Sequence, residues 1–100
     1  MEAKGAGVPV FMVERYLGAL EPSGVEVQAA ADGALAGEAA SEVFHLHTTY
    51  SREDELCFSF FRASSREAVV AANEAARTPF ERITEVIVAG GPSADGAKGE

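Results

Sequence analysis

Six periodic stretches of apolar residues run along the chain, and their spacing switches between that of a strand and that of a helix. Val8-Pro-Val-Phe-Met-Val-Glu-Arg-Tyr alternates at period two, with Pro9 tolerated at its start, and predicts a strand over 8–16. Pro22-Ser-Gly precedes an Ala-rich stretch that predicts a helix over 25–40 despite Gly33 and Gly37. Residues 43–50 and 56–62 are rich in β-branched and aromatic side chains, and the polar Ser51-Arg-Glu-Asp-Glu between them reads as a hairpin connection. Ser64, with Glu67 three residues on, has the spacing of a capping box. The helix it opens presents Ala68, Val69, Ala72 and Ala76 on one face and must end before Pro79. Residues 83–88 form the last strand.

The order β-α-β-β-α-β is the split arrangement of an α+β, ferredoxin-like fold. It predicts a four-stranded antiparallel sheet in the order 4-1-3-2 with two helices on one face. Residues 8–89 make the domain. Residues 1–7 and 90–100, rich in Gly, Ala and charge, read as loose tails. A sheet covered on one side only must hide its other apolar face, so a homodimer is expected.

Composition narrows the partners. With 100 residues, 47% of them hydrophobic, the chain suits one globular domain. Eight basic against sixteen acidic residues leave a net charge of −8, which speaks against nucleic acid and anionic membranes. Cations, neutral small molecules and other proteins remain. The single Cys57 excludes an internal disulfide framework and multi-Cys zinc motifs. No apolar run reaches membrane-spanning length, and the start of the chain carries no leader pattern, so the expected compartment is the cytoplasm.

Five runs carry a family resemblance: Phe11-Met-Val-Glu-Arg-Tyr-Leu, Glu53-Asp-Glu-Leu-Cys-Phe, Ala63-Ser-Ser-Arg-Glu-Ala-Val, Ala72-Asn-Glu-Ala-Ala and Pro79-Phe-Glu-Arg-Ile-Thr-Glu-Val. Together they resemble the bacterial nickel-responsive, nickel-binding-like domain family, which is common in actinobacteria, over residues 10–88. The resemblance implies a ferredoxin-like fold, dimerisation and binding of nickel or another divalent metal, and no established reaction. Two departures stand out. Family members commonly carry Leu-Pro-Gly after the first strand, where this chain has Leu17-Gly-Ala-Leu, and some carry a His near the position of Ala72.

His45 and His47 are the candidate metal ligands. Two apart on a regular strand, they would project from one face with Cα atoms roughly 6.5–7 Å apart, close enough to share an ion that accepts imidazole nitrogen. A third donor is needed; Glu14 is preferred, with Cys57 and Glu85 as other strand-borne candidates. The bland alternative is a half-exposed pair bonded to Thr48, Thr49 or water. Glu14 has its own plain reading as an ion pair with Arg62 or Arg82, and Arg15 beside it faces the other way. Cys57 reads as an inert core thiol.

A reading from another class makes the chain an enzyme. If the thin first helix stood off Phe11, Phe44, Phe58, Phe60 and Phe61, an apolar cleft rimmed by His45, His47, Tyr50 and Tyr16 would remain. A cofactor-free cyclase or isomerase of the dimeric α+β-barrel type would use it on a small apolar, polyketide-like substrate. His45 or His47 would be the general base and Tyr50 would polarise a carbonyl. The plain reading of Tyr16 and Tyr50 is a buried ring with its hydroxyl in water.

Overall fold

The computed structural model describes residues 8–39 and 42–89. The expected tails, 1–7 and 90–100, lie outside the described residues. The elements follow the predicted order: β1 (Val10–Tyr16), α1 (Pro22–Glu38), β2 (Val43–Ser51), β3 (Leu56–Ala63), α2 (Arg66–Ala75) and β4 (Arg82–Val86). They build one antiparallel sheet in the order β2-β3-β1-β4, the predicted order read from its other edge. The α+β ferredoxin-like expectation holds.

Period two sorts the side chains of the sheet. Phe11 and Val13 of β1, Phe61 and Ala63 of β3, Val43 of β2 and Ile83 of β4 form the core with Leu35 and Ala36 of α1 and Val69 and Ala72 of α2. Burying the Phe, Leu, Ile and Val side chains among them stabilises by about 1.5–3 kcal/mol each, and the alanines add less. The residues between them, including Met12, Phe58 and Phe60, stand half-buried on the face that the helices leave uncovered.

Three local expectations are corrected. Helix α1 starts at Pro22, ahead of the predicted Val25, because proline in the first turn lacks only an N–H that has no helical partner there. The cap of α2 is Ser65, whose hydroxyl accepts from the Ala68 amide at 3.1 Å; Ser64 is exposed and Glu67 closes no capping box with it. Val69 and Ala72 are buried as expected and Asn73 joins them, whereas Ala76, the residue that ends the helix, is exposed. Strand β4 stops at Val86, and Ile87 and Val88 beyond it are 94% and 61% exposed. Among the described residues no helix is long and apolar enough to cross a membrane.

Candidate functional site

The sequence puts both histidines on β2, but the strand is not regular. Its pairing with β3 shifts register between His45 and His47: His45 lies opposite Phe61, whereas His47 lies opposite Phe60. An extra residue in one strand of a pair reverses the alternation beyond it. His45 therefore turns towards the helices, its ring centroid 5.5 Å from that of Phe61. His47 turns to the uncovered face and rests on Phe60 at 4.6 Å. The same-face geometry expected of the pair is not found.

Glu14 shares the uncovered face with His47, but β3 runs between their strands. Its Oε2 accepts from Arg82 Nε at 2.9 Å, so of the two ion-pair partners considered for Glu14 it is Arg82 that pairs with it. The third-donor candidates are scattered as well. Cys57 is buried beneath the helices, and Glu85 lies opposite Phe11 on β4. Among the described residues no three His, Cys, Asp or Glu gather as a ready ligand set.

What the structure does gather is a polar cluster inside the core. Arg15, Asp32, Ser59 and Asn73 are all at most 1% exposed. Asp32 Oδ1 accepts from Arg15 Nη2 at 3.2 Å and from Gln28 Nε2 at 3.0 Å. Its Oδ2 accepts from the hydroxyls of Ser59 at 2.5 Å and Thr48 at 2.7 Å. Arg15 donates further to Asn73 Oδ1 at 2.7 Å and to the Pro79 carbonyl at 2.9 Å, which leaves its Nε as a buried atom without a partner. The cluster reaches His45, whose Nε2 lies 2.8 Å from Thr48 Oγ1 and 4.0 Å from Asp32 Oδ2. Of the two neighbours on β1, the buried one is Arg15. The signal was in its parity with Phe11 and Val13; the partner Asp32, one of three acids in an Ala-rich stretch with Glu26 and Glu38, carried no such mark.

The expected apolar cleft is absent in that form. Only Phe11 and Phe61 of the five phenylalanines face the helices, because Phe44, Phe58 and Phe60 have the other parity. The proposed rim is divided in the same way, with His47 on the uncovered face and His45 and Tyr50 on the helix side. A groove of about 350 Å³ does lie at the end of β2, lined by Leu20, Pro22, Val25, Thr48, Tyr50 and Arg52 among others. Its Tyr50 hydroxyl is occupied, donating to the Gly18 carbonyl at 2.5 Å and accepting from the Leu20 amide at 3.0 Å. Tyr50 thereby clamps the turn after β1, where Gly18 takes a φ of 72° that a side chain would resist. Neither tyrosine points a bare hydroxyl into water. Tyr16 is 60% exposed and donates to Glu55 at 2.8 Å. That hydrogen bond, with the charge of Glu55 behind it, pushes the phenol above its ordinary value.

Burial pushes the Cys57 thiol up, as expected of a core cysteine, and Ser59 Oγ at 3.9 Å opposes that only weakly.

A family model described as nickel responsive protein SCO4226-like matches residues 11–86. The chain belongs to that family. The match spans β1 to β4 and therefore the polar cluster, both histidines and Glu14. No curated protein and no solved structure matches the chain.

Proposed function

We propose that this chain is a cytoplasmic nickel-binding homodimer, with His45 and His47 as separate donors on the two sides of β2 and Glu14 as a carboxylate on the side of His47. The observation that carries the reading is that a member of a nickel responsive family holds both of its histidines at partly open positions of an edge strand. Imidazole nitrogen suits nickel, so the type of donor fits. The number gathered in one protomer does not fill a coordination sphere, and water or a second copy supplies the rest. The second copy would cover the helix-free face, where Phe44 is 52% exposed beside half-buried Met12, Phe58 and Phe60. A patch of that kind favours association through one self-complementary surface. The cyclase alternative has no comparable support, since its cleft is absent and Tyr50 is committed to the loop.

Titration calorimetry with Ni²⁺ on the untagged protein tests this. Because the two rings do not chelate together, His45→Ala and His47→Ala should each remove part of the binding and the double variant all of it. Binding should weaken on acidification, because a protonated ring nitrogen has no lone pair left for the metal. Absence of heat in the wild type rejects the reading. Light scattering that returns a single-chain mass at micromolar concentration rejects the dimer.

A further inference from the structure

The hydrogen bonds around His45 decide which of its nitrogens can bind anything. Both oxygens of Asp32 are taken up as acceptors, from four donors: Arg15, whose guanidinium has protons only to give, Gln28, Ser59 and Thr48. A threonine hydroxyl carries one proton, and that of Thr48 is directed at Asp32 Oδ2 over 2.7 Å. Thr48 Oγ1 therefore meets His45 Nε2, 2.8 Å away, with a lone pair only. Nε2 must be the donor. A neutral imidazole protonated on Nε2 has its free lone pair on Nδ1. Nδ1 faces α1 at Gly33, an exposed residue, where an added Cβ would stand 3.9 Å away. The ring of Phe61, its centroid 5.5 Å from that of His45, has no proton to exchange.

We infer that Thr48, held by Asp32, is a positioning residue: it locks His45 in the Nε2–H form, so that Nδ1 beside Gly33 is the one nitrogen open to a metal ion. The inference rests on the reading of His45 as a donor, but the tautomer exists without any metal and is measured separately. Such hydrogen bonds from outside the ligand set typically change metal affinity about 10–100-fold when removed.

The test is long-range ¹H–¹⁵N correlation on uniformly labelled, metal-free protein, followed to alkaline pH until the ring signals no longer change. The expected result for His45 is a protonated Nε2 and a bare Nδ1. Thr48→Val should give a mixture of tautomers, and Thr48→Ser, which keeps the hydroxyl, should restore the single form. Should Thr48→Val fail to fold, Thr48→Ala, which removes the hydroxyl and leaves the Arg15–Asp32 pair whole, gives the same readout. Wild-type His45 protonated on Nδ1, or a tautomer indifferent to these changes, overturns the inference. Zn²⁺, diamagnetic and also accepting imidazole, should then move the Nδ1 signal while the Nε2 proton stays. Affinity at His45 should fall roughly 10–100-fold in Thr48→Val. Loss of the Nε2 proton on adding Zn²⁺ overturns the assignment of the open nitrogen. If Zn²⁺ leaves His45 unmoved although the tautomer is locked by Thr48, the lock stands and the donor reading of His45 falls.

Discussion

The sheet carries two arginine–carboxylate pairs on opposite faces, and both begin at adjacent residues of β1. Arg15 meets Asp32 at 3.2 Å with both side chains at most 1% exposed, while Glu14 meets Arg82 at 2.9 Å with the guanidinium 68% exposed. The distances would rank the outer pair first. The surroundings reverse the order. A charge removed from water is tolerated only when its partners satisfy it, so deleting one partner inside leaves the other stranded. Water solvates the Arg82 guanidinium whether or not it touches Glu14, whose side chain is 13% exposed. The inner pair also has neighbours to organise: Asn73 of α2, Ser59 of β3 and Thr48 of β2 converge on it from three elements.

The sharpest way to break this contrast is Asp32→Ala. It should cost roughly 3–5 kcal/mol in a denaturant titration, because Arg15 stays buried and Ser59, Thr48 and Gln28 lose their acceptor. A loss under about 1 kcal/mol would mean that water enters and the inner pair behaves like the outer one.

Cys57 probes the same interior by pH. Its folded pKa lies above the unfolded value because burial disfavours the thiolate. Folded protein thus holds the proton longer, so the contribution is complete below the unfolded pKa of about 8.5 and is lost as pH rises towards the folded value. Unfolding free energy should decline through that alkaline window in the wild type and less so in Cys57→Ala. An alkylating reagent at pH 8 that labels native protein as fast as urea-unfolded protein would contradict a sealed interior.

A smaller effect is expected at the cap of the helix that brings in Asn73. Ser65→Ala should cost about 0.5–2 kcal/mol, whereas Ser64→Ala should stay within about 0.5 kcal/mol. Equal midpoints for the two variants would remove Ser65 as the cap. Smallest of all is the outer pair. A double-mutant cycle on Glu14→Gln and Arg82→Gln should return a coupling of about 0.2–1 kcal/mol that fades in high salt.

Much of this molecule is legible in one dimension. Alternation over 8–16 assigned Phe11 and Val13 to one face and Glu14 to the other, and the Ala-rich and Ser-led stretches assigned two helices. Strand order followed from element order, because few ways of closing β-α-β-β-α-β hide every apolar face. These features depend on neighbours within a few residues, and a sequence states those directly.

The candidate site was decided elsewhere. His45-Leu-His47 reads as one face of a strand until pairing with β3 absorbs an extra residue, and a bulge is a property of two strands together. Asp32 becomes the centre of the interior only because α1 packs on β2 and β3 while the long Arg15 side chain reaches over from β1, so that it meets Arg15, Thr48 and Ser59, between 16 and 27 residues away in sequence. A buried charge is defined by partners that chain spacing does not bring together. The sequence supplied the donors and acceptors; the packing of helix on sheet chose which of them meet, because only there is water absent and an unmade hydrogen bond costly.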